Sequence, residues 1–378
     1  MQNKLLLAID PGFDNVKVIA NGQYFKFPFN AVETDERKMS DYGRKTGFIL
    51  YKDQSGATWR VGQYARSLIF DNKEQQEQAE KMRGFYTEER FISSEFTVGL
   101  RAALAMAIEK TGLYDCQQNL DIKMIVALPH GCRTKFASTI VGAVAGEHSY
   151  FVRFDNRAEK PYHFTIQESG VYTISQTIAA ILGETSDDDG NINEEKFFYL
   201  SNGPTLVIDG GYYTVGLVPV SRGGSVDDAR TESDTEHAMK MVNVAVEKEI
   251  SKERPDIKHY SIEYLLSRDE GIVRYLQDGK AITIDLAAIR ADKIQSVCNE
   301  FIEYLNKKYK NLLDFRYALV TGGTGACFYP HLLAYYKSIG IMDEAHMLLT
   351  TPSIGDSTLP IEFSIAAGAY KGLRGKLT

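Results

Sequence analysis

The hydrophobic and polar positions at the start of the chain follow a short-period pattern. Two apolar runs, Lys4–Ile9 and Val16–Ala20, flank a turn rich in Asp, Gly and Asn, which predicts a β-hairpin. The dipeptide Asn21-Gly22 comes next. Because Asn-Gly favours a type I′ turn, we expect a third strand over Tyr24–Phe29. The chain therefore begins as an antiparallel meander.

The rest of the chain alternates predicted strands and helices, which indicates an α/β protein. Further strands are predicted over Gly47–Tyr51, Thr58–Val61, Ile122–Leu128, Phe151–Phe154, Tyr162–Ile166 and Tyr317–Thr321. Helices are predicted over Phe96–Thr111, Thr134–Val144, Val171–Leu182, Thr231–Lys252, Leu286–Lys307 and Ile361–Gly372. Two charged segments, Asp71–Met82 and Arg254–Gly279, are expected to be exposed.

The stretch Thr205–Val220 repeats the pattern that opens the chain. In both LLLAIDPGFDNVKVIA and TLVIDGGYYTVGLVPV, an apolar run ends in Ile-Asp, a glycine-bearing turn follows, and a second apolar strand leaves. A repeat at such a long separation predicts two related domains rather than a solenoid. We place the first at residues 1–170, with an inserted lobe at about 30–96 and a closing helix, 361–378, that returns to it. The second covers 171–360, with an inserted lobe at about 223–315.

Composition limits the class of protein further. The chain has 378 residues, more than one hydrophobic core usually covers, which agrees with two domains. Its net charge is −7 and it has no cluster of five or more Lys and Arg, so direct nucleic-acid binding is not expected. None of its four cysteines forms a CxxC pair, and no window approaches 18 apolar residues. These features predict a cytoplasmic protein without a membrane partner.

Three predicted strands each deliver a glycine-rich turn, in the sequences IDPGFDN, IDGGYYT and VTGGTGA. Glycine lets the backbone approach a ligand, and successive N–H groups can bind an anion. Asp10 and Asp209 indicate Mg²⁺, which is held by one or two carboxylates together with phosphate oxygens and water. Lys17 offers a point charge to a phosphate. The chain has no GxxxxGK[ST] and no GxGxxG after a strand, so a P-loop or Rossmann site is not expected.

The order of these motifs resembles that of the actin/Hsp70/sugar-kinase superfamily. The resemblance implies an α/β, actin-like fold of two related lobes, each with a mixed sheet flanked by helices, and a nucleotide in the cleft between them. Within the superfamily, DxGxxNVK and QES are most similar to bacterial actin-like plasmid-segregation proteins of the ParM/StbA/Alp group. That group implies ATP, or GTP, with Mg²⁺, self-assembly into a homopolymeric filament, and a DNA-binding adaptor that links the filament to a plasmid centromere.

The resemblance also assigns site residues. Asp10–Lys17 matches the first phosphate motif, Asp209–Thr214 the second, and Thr321–Gly325 the adenosine motif. Asp10 and Asp209 would hold Mg²⁺ through water, and Lys240 would reach the ribose or base. The other implied nucleotide contacts are Gly12, Phe13, Asp14, Asn15, Lys17, Gly210, Gly211, Tyr212, Tyr213, Gly322, Gly323 and Thr324.

Two segments match the helical connectors between lobes, Phe164–Thr173 and Ile361–Lys371. In the plasmid-segregation group a glutamate near the first connector positions the attacking water, and Glu168 falls at the matching place. Gln167 is the rival, because eukaryotic actin uses a glutamine there. We expect Glu168 to take this role.

Other functions of the same superfamily remain open from the sequence. An actin-fold small-molecule kinase would need a catalytic base and a substrate pocket, and no sugar-kinase signature is evident. An Hsp70-type chaperone would need a peptide-binding domain after the closing helix, and a membrane-bound filament would need an amphipathic anchor. We expect neither of these last two.

Overall fold

The computed structural model describes residues 3–34, 47–66, 88–155, 157–253, 266, 271–277 and 280–377. The chain divides into two compact units: unit 1 is Met1–Phe197 with Thr350–Thr378, and unit 2 is Phe198–Leu349. The predicted boundary after residue 170 therefore moves to residue 197, and the closing helix does return to the first unit.

The strands, in chain order, are β1 (Lys4–Pro11), β2 (Asn15–Ala20), β3 (Gln23–Pro28), β4 (Ala31–Thr34), β5 (Phe48–Asp53), β6 (Thr58–Gly62), β7 (Asp121–Leu128), β8 (Gly146–Phe154), β9 (Lys160–Ile166), β10 (Val171–Ser175), β11 (Thr205–Gly210), β12 (Val215–Val220), β13 (Glu232–Asp234), β14 (Ile272–Gln277), β15 (Lys280–Asp285), β16 (Tyr317–Thr321), β17 (Met347–Leu349), β18 (Ser353–Ile354) and β19 (Ser357–Thr358). The helices are α1 (Ser94–Lys110), α2 (His130–Val144), α3 (Gln176–Thr185), α4 (Glu194–Ser201), α5 (Met239–Glu253), α6 (Leu286–Lys308), α7 (Gly322–Ser338) and α8 (Ser364–Leu377). None of these described helices is long and apolar enough to cross a membrane.

The main sheet of unit 1 has five strands in the order β10-β7-β1-β2-β3. β1 is antiparallel to β2 and parallel to β7, which is in turn parallel to β10. The residues Leu7–Pro11 of β1 are all buried, as expected for a strand covered on both faces. Asn21 and Gly22 have φ of 46° and 81°, so the Asn-Gly dipeptide makes the left-handed turn that the meander needs.

The main sheet of unit 2 repeats this plan strand for strand. Its order is β13-β12-β11-β16-β17. β11 is antiparallel to β12 and parallel to β16, which is parallel to β17, while β12 is antiparallel to β13. The hairpin β1–β2 of unit 1 thus has the same place in its sheet as β11–β12 has in unit 2. This shared topology confirms the repeat that the two hydrophobic patterns predicted.

A second five-stranded sheet in unit 1 has the order β4-β6-β5-β8-β9. It contains the predicted pair β5 and β6, but β8 and β9 come from well beyond the predicted insertion at 30–96. In unit 2, the described helices α5 and α6, which lie within the range 223–315, contribute to the core of the main sheet. Val242 of α5 and Phe301 of α6 lie in the same hydrophobic cluster as Ile208 of β11.

Two predicted helices begin later than expected. Val171–Leu182 was predicted as one helix, but its first five residues form β10, because the β-branched pattern VYTIS pairs with β7, and α3 begins at Gln176. Thr231–Lys252 likewise starts with the short strand β13, and α5 begins at Met239. Asp71–Met82 and most of Arg254–Gly279 lie outside the described residues.

Helices α3 and α8 pack closely against each other in unit 1. A Cβ built on Gly368 of α8 would come closer than 3.0 Å to the carbonyl oxygen of Ala179 in α3. The buried Lys371 Nζ donates to the carbonyl oxygens of Gly183 and Ser186 at 3.0 and 3.1 Å, and so satisfies the end of α3. The segment Phe164–Thr173 is therefore not a helical connector. The predicted helix Val171–Leu182 is observed only from Gln176 onwards, as α3. The second predicted segment, Ile361–Lys371, forms a short 3₁₀ helix followed by most of α8.

Candidate functional site

The first glycine turn (Asp10–Lys17) joins β1 to β2 at the carboxyl end of β1. Asp10 is only 3% exposed. Its Oδ1 accepts a hydrogen bond from Gln176 Nε2 at 2.8 Å, and its Oδ2 lies 3.4 Å from Lys17 Nζ. Asp10 and Lys17 are also cross-strand partners in the β1–β2 ladder. The turn therefore fixes one carboxylate and one ammonium group side by side.

Gly12 allows the backbone of this turn and the side chain of Lys17 to approach each other closely. A Cβ at this position would lie 2.7 Å from both Asn15 O and Lys17 Nζ, so any other residue would fill the space and displace the lysine. The amide of Gly12 donates to Asp10 O at 3.0 Å. Gly12 thus serves the turn by lacking a side chain, while its N–H closes the turn.

Two arginines from outside the hairpin contact the same turn. The guanidinium of Arg66 forms an ion pair with Asp14. Arg90 is only 1% exposed, and its guanidinium donates a hydrogen bond to the carbonyl oxygen of Pro11. The guanidinium carbon of Arg90 lies 3.9 Å from the ring centroid of Phe13. The turn is therefore held by side chains that no local sequence pattern links to it.

Further charges lie beside Lys17. Lys26 is its cross-strand partner on β3, and Lys26 Nζ lies 3.0 Å from Glu362 Oε1. Burial by itself would raise the pKa of Glu362, but the hydrogen bond from Lys26 and the positive charge of Lys17 leave that pKa below its usual value. Glu362 therefore stays ionised beside the two lysines.

The second glycine turn (Asp209–Thr214) and the third (Thr321–Gly325) lie together in unit 2. Asp209 of β11 is the direct partner of Thr321 in the parallel strand β16. Gly322 has φ +79°, and a Cβ there would come closer than 3.0 Å to Gly210 O. Thr324 Oγ1 donates to Gly211 O at 2.6 Å, which joins the two turns.

The third glycine turn is also the first turn of helix α7. Helix N-termini carry N–H groups without intrahelical partners and a partial positive charge, so they favour anions. Gly323 follows Gly322 at this N-terminus, and a Cβ there would meet nothing within 4 Å. The side of Gly323 at which a side chain would lie is therefore open at this helix N-terminus. In the second glycine turn, the amide of Gly211 donates a hydrogen bond to Thr214 O at 2.9 Å. This amide therefore closes its own turn, as the amide of Gly12 does in the first turn.

Lys240, at the start of α5, contacts the second glycine turn. Its amide donates to Tyr212 O at 2.9 Å, and its ammonium is hydrogen-bonded to the hydroxyl of Tyr213 and lies 4.1 Å from that ring's centroid. Asn243 Nδ2 donates to the hydroxyl of Tyr212 at 3.2 Å. The two tyrosines therefore fix the start of α5 against the turn.

The two residues predicted to position the attacking water lie elsewhere. Gln167 and Glu168 are exposed in the turn that precedes β10. Asp10 lies at the opposite end of this sheet, because β1, β7 and β10 are parallel and Asp10 is at the carboxyl end of β1. The five residues of β10 separate the two ends by about 17 Å. Neither residue therefore reaches Asp10.

Gln176 is the residue that does reach it. It is the first residue of α3, directly after β10, and it donates to Asp10 as described above. Beside it, the hydroxyl of the buried Ser175 lies 3.1 Å from His130 Nδ1 at the start of α2. The signal available in the sequence was the polar pair Ser-Gln at the end of the β-branched run VYTI. A helix predicted over the whole of Val171–Leu182 does not reveal this signal, because it has no strand end at Ser175.

Comparison with solved structures identifies the fold. A ParM filament from Clostridium botulinum, described as 15-stranded, matches with a TM-score of 0.69 at 16% identity, and covers 100% of both chains. The actin-like protein Alp7A matches with a TM-score of 0.72 at 15% identity, over 99% of this chain and 97% of its own. A Bacillus thuringiensis ParM with ATP matches with a TM-score of 0.65 at 15% identity, over 100% of each chain. No protein-family model and no curated protein matches the sequence.

The chain thus has the actin-like fold, and the resemblance that its motifs indicated is confirmed at that level.

Proposed function

We propose that this protein binds a nucleoside triphosphate with Mg²⁺, hydrolyses it, and assembles with copies of itself into filaments that move plasmid DNA. The observation that carries the proposal is the repeated hairpin. In each unit the central strand ends in an aspartate and a glycine turn, at equivalent positions of equivalent sheets. Fold likeness to ParM and Alp7A supports it.

The donor set of the turns fits a magnesium nucleotide. Mg²⁺ is held by few carboxylates and retains water, and Asp10 and Asp209 would each contact it through water. When bound, Mg²⁺ would neutralise charge on the phosphate oxygens. Because Gly12 has no side chain, Lys17 Nζ can stay beside the turn, where it would offer its charge to a phosphate oxygen.

Gln176 is the proposed water-positioning residue, in place of Glu168 and Gln167. A carboxamide can donate and accept hydrogen bonds at once, and it does so without a change of protonation. The NH₂ group of Gln176 donates to the Asp10 carboxylate, so the orientation of the Gln176 side chain is fixed. In phosphoryl transfer to water, most of the protein's contribution is positioning of this kind.

The remaining proposed contacts follow the three turns. Gly322 and Gly323 would let the nucleotide pass close to the backbone, and Lys240 would reach the ribose or base. The phosphate contacts would come from the first two turns, through Phe13, Asn15, Lys17, Gly210, Tyr212 and Tyr213. Asp14 would contribute through its main chain only, because its carboxylate is paired with Arg66. Thr324 is committed to Gly211, so its contribution is to join the second and third turns.

The filament would be driven by nucleotide binding and dismantled after hydrolysis, and a DNA-binding adaptor would link it to a plasmid centromere. The solved ParM filament of the same fold supports self-assembly. The net charge of −7 supports an adaptor, because a chain with this charge is poorly suited to bind DNA directly.

The test is sedimentation of the purified chain with Mg-ATP, Mg-GTP, ADP or a non-hydrolysable ATP analogue, with microscopy of the pellets and phosphate release measured in parallel. We expect filaments with triphosphate, phosphate release that follows assembly, and longer-lived filaments with the analogue. A chain that stays monomeric at high concentration with every nucleotide would overturn the filament. ADP formation only after an added metabolite, with the phosphoryl group transferred to that metabolite and no free phosphate released, would instead favour the kinase.

A further inference from the structure

Asp14 is an unexpected residue in the first glycine turn if that turn binds phosphates. Its carboxylate is 28% exposed and follows Gly12 by two positions. An unpaired carboxylate there would repel an anionic ligand, and like charges brought together cost several kcal/mol at an interface. The structure must therefore compensate this charge for the turn to accept phosphate.

Every acceptor atom of Asp14 receives a donor. Arg66 contacts Oδ1, and the side-chain amide of Asn15 donates to Oδ2. The carbonyl oxygen of Asp14 accepts from Phe29 N at 3.0 Å and from Arg66 Nη2 at 3.2 Å. One guanidinium group therefore holds both the side chain and the backbone of the same turn residue.

Arg66 is well supported for this role. Its side chain is only 12% exposed, so the ion pair is screened by water less than a surface pair would be. It follows strand β6, which pairs with β4 and β5 in the second sheet of unit 1, and not with the hairpin. A planar guanidinium with several donors can bind two acceptors at once in a fixed direction, which an ammonium group does less well.

We propose that Arg66 is a positioning residue for the phosphate-binding turn, which acts by neutralising Asp14 and fixing its backbone so that the turn accepts an anionic ligand. The inference rests on the proposed nucleotide function, and it names a residue that no motif in the sequence points to. Arg66 does not itself touch the ligand in this proposal. It acts through Asp14.

The experiment compares Arg66→Ala, Asp14→Asn and the double variant in the full chain, with Mg-ATP and Mg-ADP affinity measured by calorimetry. Removing the arginine leaves an uncompensated carboxylate, so Arg66→Ala should weaken Mg-ATP binding by about tenfold. Asp14→Asn should strengthen it by about threefold, because Arg66 then adds positive charge to the turn. The double variant should return to within about threefold of wild type.

Arg374→Ala is the matched control. Arg374 also forms an ion pair with an aspartate in unit 1, but that aspartate is Asp189 of the acidic loop 186–193. The Arg374→Ala variant should bind Mg-ATP with the same affinity as wild type. Arg66→Lys tests the two-point contact, and it should recover only part of the affinity lost in Arg66→Ala.

The rescue by Asp14→Asn separates charge compensation from mere structural support. Arg66→Ala with unchanged affinity, or with a loss that Asp14→Asn does not restore, would overturn the inference. If Arg66→Ala does not fold, Asp14→Asn alone decides, because weaker Mg-ATP binding by that variant contradicts the proposal. Wild-type protein that binds no nucleotide would defeat the proposed function itself, which is a different result.

Discussion

Gln176 donates a hydrogen bond from its side-chain amide to the carboxylate of Asp10, at 2.8 Å and across 166 positions of sequence. The contact exists because β1 and β10 run in the same direction on either side of β7. Their carboxyl ends therefore lie at one edge of the sheet, where ligands of α/β proteins commonly bind. The same topology places Glu168 at the other edge.

Replacing Gln176 by Ala should slow hydrolysis while nucleotide binding persists. The variant keeps Asp10, Lys17 and Gly12, so we expect Mg-ATP affinity within about threefold of wild type. Loss of the positioned carboxamide should lower single-turnover phosphate release by about 100-fold, in the range found for groups that orient or activate a reacting proton. Stopped-flow phosphate detection measures this, and the filaments should persist longer.

Glu168→Ala is the matched control for that variant. Glu168 is exposed at the far end of the sheet, so its removal should leave phosphate release within about twofold of wild type. The opposite pattern, with Glu168→Ala slow and Gln176→Ala normal, would restore the assignment made from the sequence and refute the one made from the geometry.

The separation of Glu168 from Asp10 results from the strand β10, which lies where the sequence predicts a helix. VYTISQTIAAIL carries small and β-branched residues throughout, and periodicity alone does not separate a buried strand from a buried helix in such a run. Because β10 is a strand, Glu168 precedes its amino end and Gln176 directly follows its carboxyl end.

Glycine substitutions in the third turn should separate structural from ligand-binding roles. Gly322 has φ +79°, and a Cβ there collides with Gly210 O, so Gly322→Ala should destabilise unit 2 by about 2 kcal/mol or more. Gly323→Ala meets nothing within 4 Å and should unfold at the wild-type temperature. Its added methyl group should nevertheless weaken Mg-ATP binding, if the nucleotide passes close to this backbone.

Thermal unfolding by circular dichroism and calorimetric titration with Mg-ATP give the two readouts. Wild-type nucleotide affinity in a correctly folded Gly323→Ala variant would remove Gly323 from the proposed site. An unchanged unfolding temperature for Gly322→Ala would contradict the packing of the second and third turns.

Lys17 and Lys26 offer another matched pair, because they are cross-strand neighbours with different surroundings. Lys17 lies 3.4 Å from Asp10 and is 19% exposed, whereas Lys26 is 49% exposed and pairs with Glu362. Lys17→Met should lower Mg-ATP affinity by about tenfold, because it removes the ammonium charge that the turn itself carries beside Asp10. Lys26→Met should change it by less than about twofold, as expected for an exposed pair. Equal losses in both variants would mean that the general charge of the strand, and not Lys17, attracts the nucleotide.

The two hairpins could be predicted from the sequence, whereas the side chains that contact the first turn from other parts of the chain could not. Alternation, Ile-Asp and Asn-Gly are local signals, and the strands β1, β2, β11 and β12 follow them closely. Arg66 and Arg90 reach the first turn from segments 52 and 79 positions away. No local pattern specifies such a contact, since it depends on how the second sheet packs beside the first. The same holds for β8 and β9, which join β5 only through tertiary structure.

Alanine substitutions at two helical glycines should change the stability of the protein in opposite directions. Gly368 lies where α8 packs against α3, whereas Gly142 lies on α2. Gly368→Ala places a methyl group against the carbonyl oxygen of Ala179, a backbone atom that cannot move without displacing α3. We expect a loss of about 3 kcal/mol or more in the free energy of unfolding of unit 1. Gly142 lies on the exposed face of α2, and a Cβ there meets nothing within 4 Å. Gly142→Ala should therefore stabilise the protein by about 0.5–1 kcal/mol, because alanine lowers the conformational entropy of the unfolded chain. Chemical denaturation followed by fluorescence measures both changes, and a Gly368→Ala variant as stable as wild type would show that the two helices can separate without cost.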